Sequence, residues 1–156
     1  MRLSEQFGIV PVIEPENHQA SGVDGDSVSM ENYGHVTFIF LFGEMGGTPV
    51  LIIYEGAAAG DKTTPLTFSY RYTAADLKNA TADQLSAEAT SAALDLAHGT
   101  FEDRMLVVEI DATELTDGYP WVTPEIDDAG TEVFVACVAI MSKPRYSEDV
   151  MPTAIA

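Results

Sequence analysis

Three features of the sequence predict an all-β fold, a β-sandwich for which a jelly roll is one fitting arrangement. Strand-length apolar runs bounded by Gly, Pro and Asp recur along the chain, helix-length amphipathic segments are scarce, and the links between runs are short and turn-rich. With 156 residues, the chain is long enough for one core that buries roughly 70% of its unfolded surface without a disulfide or metal.

Residues 1–33 hold Gly8, Pro11, Pro15, Gly22 and Gly25, with an apolar patch at Phe7–Ile13 broken by a proline. They read as an extended N-terminal arm. Phe7, Ile9, Val10, Val12 and Ile13 are its expected anchors on a neighbouring chain, because solvated tails rarely carry so many large apolar side chains. Removing residues 1–16 is therefore expected to leave the core folded.

From Ser27 to Gly43 the sequence passes abruptly from polar to apolar on both faces. Val36–Phe42 is short and rich in β-branched and aromatic residues, which makes it a central strand. Pro49–Glu55 follows across a hairpin link. In Leu66–Tyr72 the residues Leu66, Phe68, Tyr70 and Tyr72 face one way and Thr67, Ser69 and Arg71 the other, so one face is packed and one is wet. The Ala-, Ser- and Thr-rich stretch 73–96 fits a loop or short helix near 74–78 and an irregular strand near 89–97. Arg104–Asp111 is a strand, and Ala112–Tyr119 a turn closed by Gly118. Tyr119–Ile126 is placed at a sheet edge by Pro120 and Pro124. After a turn at 127–130, Glu132–Met141 is again apolar on both faces. The core is thus expected over 34–142, with Phe38, Phe40, Ile52, Phe68, Leu106, Val108, Val135 and Val138 inside, and 143–156 is expected as a polar C-terminal tail.

The formal charge of −18, from 25 acidic residues against seven cations, opposes binding to nucleic acid and to anionic membranes. The N-terminus lacks the apolar stretch of a signal peptide and no run reaches a membrane span, so a soluble protein made in a cytoplasm is expected. Cys137 is the one cysteine and lies mid-strand, which excludes an intrachain disulfide and suggests a buried apolar role.

Catalytic patterns are incomplete. Gly56–Thr63 resembles a phosphate-binding loop, but its second Gly comes one residue early, Asp61 precedes Lys62, and a strand follows where the anion-holding helix should start. His18, His35 and His98 lack helical zinc spacing, and Asp24-Gly25-Asp26 lacks the later acidic ligand of a calcium loop. No enzyme activity, cofactor or metal is expected. Trp121, Tyr119 and Tyr33 would suit a sugar-stacking face or, equally, a core or protein interface.

Two stretches resemble small structural proteins encoded in the virion gene blocks of tailed bacteriophages. The first is Asp26-Ser27-Val28-Ser29-Met30-Glu31-Asn32-Tyr33-Gly34-His35-Val36-Thr37, similar to a D-x-V-S-M-K-N-Y-x-H-V-T strand entrance, with Glu31 where Lys is common. The second runs through Val108–Leu115 and Asp117–Val122 to Val138–Ser142 and Pro144–Tyr146. The resemblance carries no catalytic or ligand-binding residue. It implies a head decoration, or cement, protein on the capsid surface of the virion, whose partners are the major capsid protein and neighbouring copies of itself, with homo-oligomers on the particle. Neck or tail placement and a carbohydrate-binding adhesin module are the alternatives.

Overall fold

The computed structural model describes residues 2–18, 22–127, 130–145 and 153–156. Its strands are β1 (Gly8–Asn17), β2 (Val23–Asp24), β3 (Val28–Ser29), β4 (Tyr33–Met45), β5 (Val50–Gly56), β6 (Thr64–Pro65), β7 (Phe68–Tyr72), β8 (Ala89–Ser91), β9 (Leu94–Asp95), β10 (Met105–Asp111), β11 (Trp121–Ile126) and β12 (Val133–Pro144). Among the described residues, helix is confined to single turns at Leu3–Gln6, His98–Phe101 and Ala112–Glu114. Sheet A has the order β1-β12-β4-β10-β7-β8, and sheet B the order β2-β11-β5-β6, with β3 also on β11 and β9 on β5. The two antiparallel sheets pack face to face, as an all-β sandwich requires.

Alternation builds the core. Along β4, Val36, Phe38, Phe40 and Phe42 point inward, and the Phe40 and Phe42 rings lie 6.2 Å apart and nearly parallel. Phe101, from the single turn at 98–101, meets Phe42 edge-on at 6.4 Å and closes that end of the core. Leu106, Val108 and Ile110 of β10, with Val133, Val135, Cys137, Ala139 and Met141 of β12, complete sheet A's inner face. Leu51 and Ile53 of β5 and Val122 and Ile126 of β11 meet them from sheet B.

Six of the eight expected core residues are buried, whereas Ile52 is half-buried and Val138 faces outward at 38% exposure. The strand period of two is the reason. Once Val135 and Cys137 point inward, Val138 cannot, and Leu51 and Ile53 exclude Ile52 in the same way. In runs that are apolar on both faces, side-chain type does not distinguish the two phases.

Three further expectations differ from the structure. Residues 8–17 are not an arm outside the core: they form β1, an edge strand of sheet A paired along β12 from Gly8 opposite Met141 to Asn17 opposite Phe134. Nor does the chain leave the core at 143, since Lys143 and Pro144 belong to β12. Farther on, Ala154 is buried and its carbonyl accepts the Ser29 N–H at 2.7 Å. The rest of the expected tail, residues 146–152, lies outside the described residues, as do positions 128 and 129 of the expected turn.

The third difference concerns β11, which lies inside sheet B, between β5 on one side and β2 and β3 on the other. Its Pro124 is tolerated because the Pro124 carbonyl accepts the Gly25 N–H at 2.8 Å. In an antiparallel strand the nitrogen and carbonyl of one residue point to the same neighbour. The imide nitrogen therefore faces the interval where the chain crosses from β2 to β3, and the ladder to β5 keeps its donors.

The loop from Gly56 to Thr63 links β5 to β6 as a hairpin. Its Lys62 is bound by Asp24 at 2.8 Å and by Glu125, and these hydrogen bonds hold the ammonium above its usual range. The lysine that imitates a phosphate-loop residue is thus a tie between the hairpin and strands β2 and β11.

Candidate docking surface

A two-layer sandwich covers one face of each sheet. The middle of β4 and most of β12 are nevertheless apolar on both faces, and β10 adds Met105 and Val107 beside them, so sheet A carries a second apolar surface turned away from sheet B. Register lays it out in rows across the strands. Ile9 and Ile140 lie abreast of Thr37, the next row is Pro11, Val138, Ile39 and Val107, and the next is Ala136, Leu41 and Met105. Phe134 extends the surface beside Gly43, where an added Cβ would lie 3.1 Å from the Phe134 Cβ.

Exposure confirms the geometry: Ile9 is 48%, Leu41 45%, Phe134 39% and Val138 38% accessible. The nine apolar positions in these rows, at ordinary strand spacing, amount to an area on the order of 300 Å², a size at which surface patches are often functional. A shallow groove of about 310 Å³ runs along its end between Pro15, Glu16, Leu41, Phe134 and Ala136.

The rim is polar and largely acidic. Glu16 borders the groove, with His18 3.8 Å away. At the other end His35 stands between Asp111, 2.9 Å from its Nδ1, and Glu109, 3.5 Å from its Nε2, while Lys143 reaches Asp111 at 3.2 Å. The hydrogen bond from His35, and then that from Lys143, holds the Asp111 carboxyl below the usual carboxylate range. Arg71 lies on a third side, fixed to the Ser86 carbonyl and to Glu88.

Only part of the predicted interface falls here. Ile9 sits in the open face, and Phe7 is half-buried immediately before β1. Val10, Val12 and Ile13 are buried inside the chain's own sandwich, at 6%, 5% and 5% accessibility, so they are core residues and not anchors on a neighbour. Leu41, Phe134, Val138 and Ile39 were not among the expected interface residues. Their signal was already present as the two-sided apolarity of Val36–Phe42 and Glu132–Met141, which a two-layer fold leaves half uncovered.

The other candidate groups are dispersed. Cys137 is buried, which pushes its thiol well above the usual range and away from nucleophilic use. Among the described residues no three His, Cys, Asp or Glu are placed to hold a metal ion, and no helix is long and apolar enough to cross a membrane. Of the three aromatic residues suited to a sugar face, Tyr33 is fully buried against Gly8, while Trp121 and Tyr119 line a separate open cavity. No protein-family model matches the chain, and no curated protein matches it in sequence.

Proposed function

We propose that this chain is a non-catalytic virion structural protein, a bacteriophage head decoration protein that lays the outer face of sheet A on the capsid shell. The observation that carries this reading is the apolar surface of Ile9, Val138, Ile39, Leu41 and Phe134, left uncovered on an otherwise strongly acidic molecule. The largest exposed apolar patch on a small protein is often an interaction site. The strand-entrance motifs that resemble phage structural proteins support the same reading, and repeated docking sites on a shell would suit a small, acidic, compact partner.

The test uses purified phage particles that lack the chain and a variant carrying Leu41→Lys and Val138→Lys. Both positions face outward, so the variant should fold with wild-type circular dichroism and a stability change within about 0.5 kcal/mol per site. Wild-type protein should coat the particles to saturation in many copies per head, and the variant should lose most of that occupancy. Wild-type protein that fails to bind the particles, or a variant that binds them equally well, would overturn the reading.

A further inference from the structure

A second feature lies where β4 begins and β12 ends. There an open cavity of about 540 Å³ is walled by Met30 and Glu31 ahead of β4, by the β10–β11 connection from Ala112 to Pro120 with Trp121 at the start of β11, and by Arg145 after β12. Its volume lies within the range of small-molecule sites. Met30 and Glu31 from the first stretch that stands out in the sequence meet here with Ala112, Leu115, Asp117–Trp121 and Arg145 from the second, although they are far apart along the chain.

The walls are fixed by the fold. Met30 N–H donates to the Pro120 carbonyl at 2.8 Å, Arg145 N–H to Asn32 at 2.9 Å and Tyr119 N–H to Thr116 at 2.9 Å. Beneath the loop, the buried Glu55 carboxylate accepts from the Thr116 N–H at 2.7 Å and from its hydroxyl at 2.5 Å. A reciprocal capping box between Asp111 and Glu114 fixes the turn where the loop starts. Burying a carboxylate is costly unless its lone pairs are filled, and here they are filled by the loop that forms the cavity wall.

The lining combines two partly exposed aromatic residues, Trp121 and Tyr119, with two carboxylates, Glu31 and Asp117, and one guanidinium, Arg145. The side chains of Glu31, Asp117 and Arg145 form no ion pair with another described residue. We infer that the cavity is a binding site for a neutral hexopyranose unit of a glycan. The apolar C–H face of a pyranose suits an indole or phenol ring, and its hydroxyls donate to carboxylates and accept from a guanidinium in charge-assisted hydrogen bonds. Two carboxylates against one cation, on a chain of net charge −18, repel uronate, sialate and phosphate groups. This site is separate from the outer face of sheet A and does not depend on it.

Trp121 is the chain's one tryptophan, so its fluorescence reports on the cavity directly. The full chain is titrated with methyl glucoside, methyl mannoside, methyl galactoside, N-acetylglucosamine and their short oligomers, with glucuronate and glycerol as controls. At least one neutral sugar should give a saturable emission change, in the millimolar range for a monosaccharide and tighter for its oligomer, and should show saturation transfer from protein protons in NMR. Arg145→Ala and Glu31→Gln should each weaken that binding about tenfold with unchanged circular dichroism, and both should still coat phage particles if the decoration reading holds. No saturable response in either measurement for any neutral sugar, or equal affinity for glucuronate, would overturn the inference and leave the decoration reading untouched.

Discussion

Cys137 and Asp111 illustrate how one position on a strand decides a side chain's chemistry. Cys137 faces inward from β12, and burial pushes its thiol well above the usual range. A thiol reagent such as Ellman's should leave the native protein unmodified over hours and react with one equivalent after denaturation. Rapid native labelling would show that β12 opens readily. Asp111 instead stands at the rim, half exposed, with its carboxyl lowered first by the His35 hydrogen bond and then by Lys143. A carboxylate lowered by folding contributes stability above its unfolded value, and that contribution fades as pH falls through the folded value. Wild type should therefore exceed Asp111→Asn in stability at neutral pH by no more than about 1 kcal/mol, given the exposure of the pair. The difference should vanish once urea melts are taken well below about pH 4. A difference that persists there would mean the residue acts through shape and not charge. Exposure of single residues was the part of the fold least legible in sequence: Val138 and Ile52 are as apolar as their buried neighbours, and only the three-dimensional phase separates them.

At the scale of elements, the sequence pattern located β5, β7, β10 and β11 to within two residues at each end. Val36–Phe42 is the centre of β4, Pro49–Glu55 is β5 shifted by one, and Arg104–Asp111 is β10. What composition could not supply was partnership. Residues 8–17, with Pro11 and Pro15, read as an extended arm outside the core, but they form β1, an edge strand with irregular register between Pro11 and Glu16, where missing donors are tolerated. The same rule misplaced β11, because whether a proline disrupts a strand depends on which neighbour its nitrogen faces. The cavity by Trp121 was legible only as separate motifs, since the hydrogen bonds that join Met30 to Pro120 and Arg145 to Asn32 span most of the chain. Placing β1 in the sheet also reverses the expected effect of truncation. Deleting residues 1–16 removes Val10, Val12 and Ile13 from the core at roughly 1.5–3 kcal/mol each, before counting the ladder to β12, against a typical total of about 5–15 kcal/mol. The truncated chain should be insoluble or melt far below the full-length protein, and a truncation with unchanged melting would show that β1 contributes little to the fold.

For the whole molecule, charge and apolar surface act in opposite directions. Eighteen uncompensated negative charges repel one another across a small sandwich, which destabilises the compact state and keeps copies apart. The uncovered face of sheet A favours association by the hydrophobic effect. Screening shifts the balance, because the Debye length falls from roughly 30 Å at 0.01 M salt to 3 Å at 1 M, so the repulsion weakens while the apolar attraction persists. Raising sodium chloride from low to molar concentration should therefore raise the melting temperature of the monomer. It should also promote self-association through sheet A, seen as a concentration-dependent rise in sedimentation coefficient. The two effects separate by mutation. In the Leu41→Lys and Val138→Lys variant the stabilisation by salt should remain, since it follows from net charge, while the association should be lost. If salt stabilises neither protein, the repulsion among the uncompensated carboxylates is too weak to limit stability. If the variant associates as readily as wild type, the contact between copies lies elsewhere on the molecule and sheet A's outer face is not the adhesive surface.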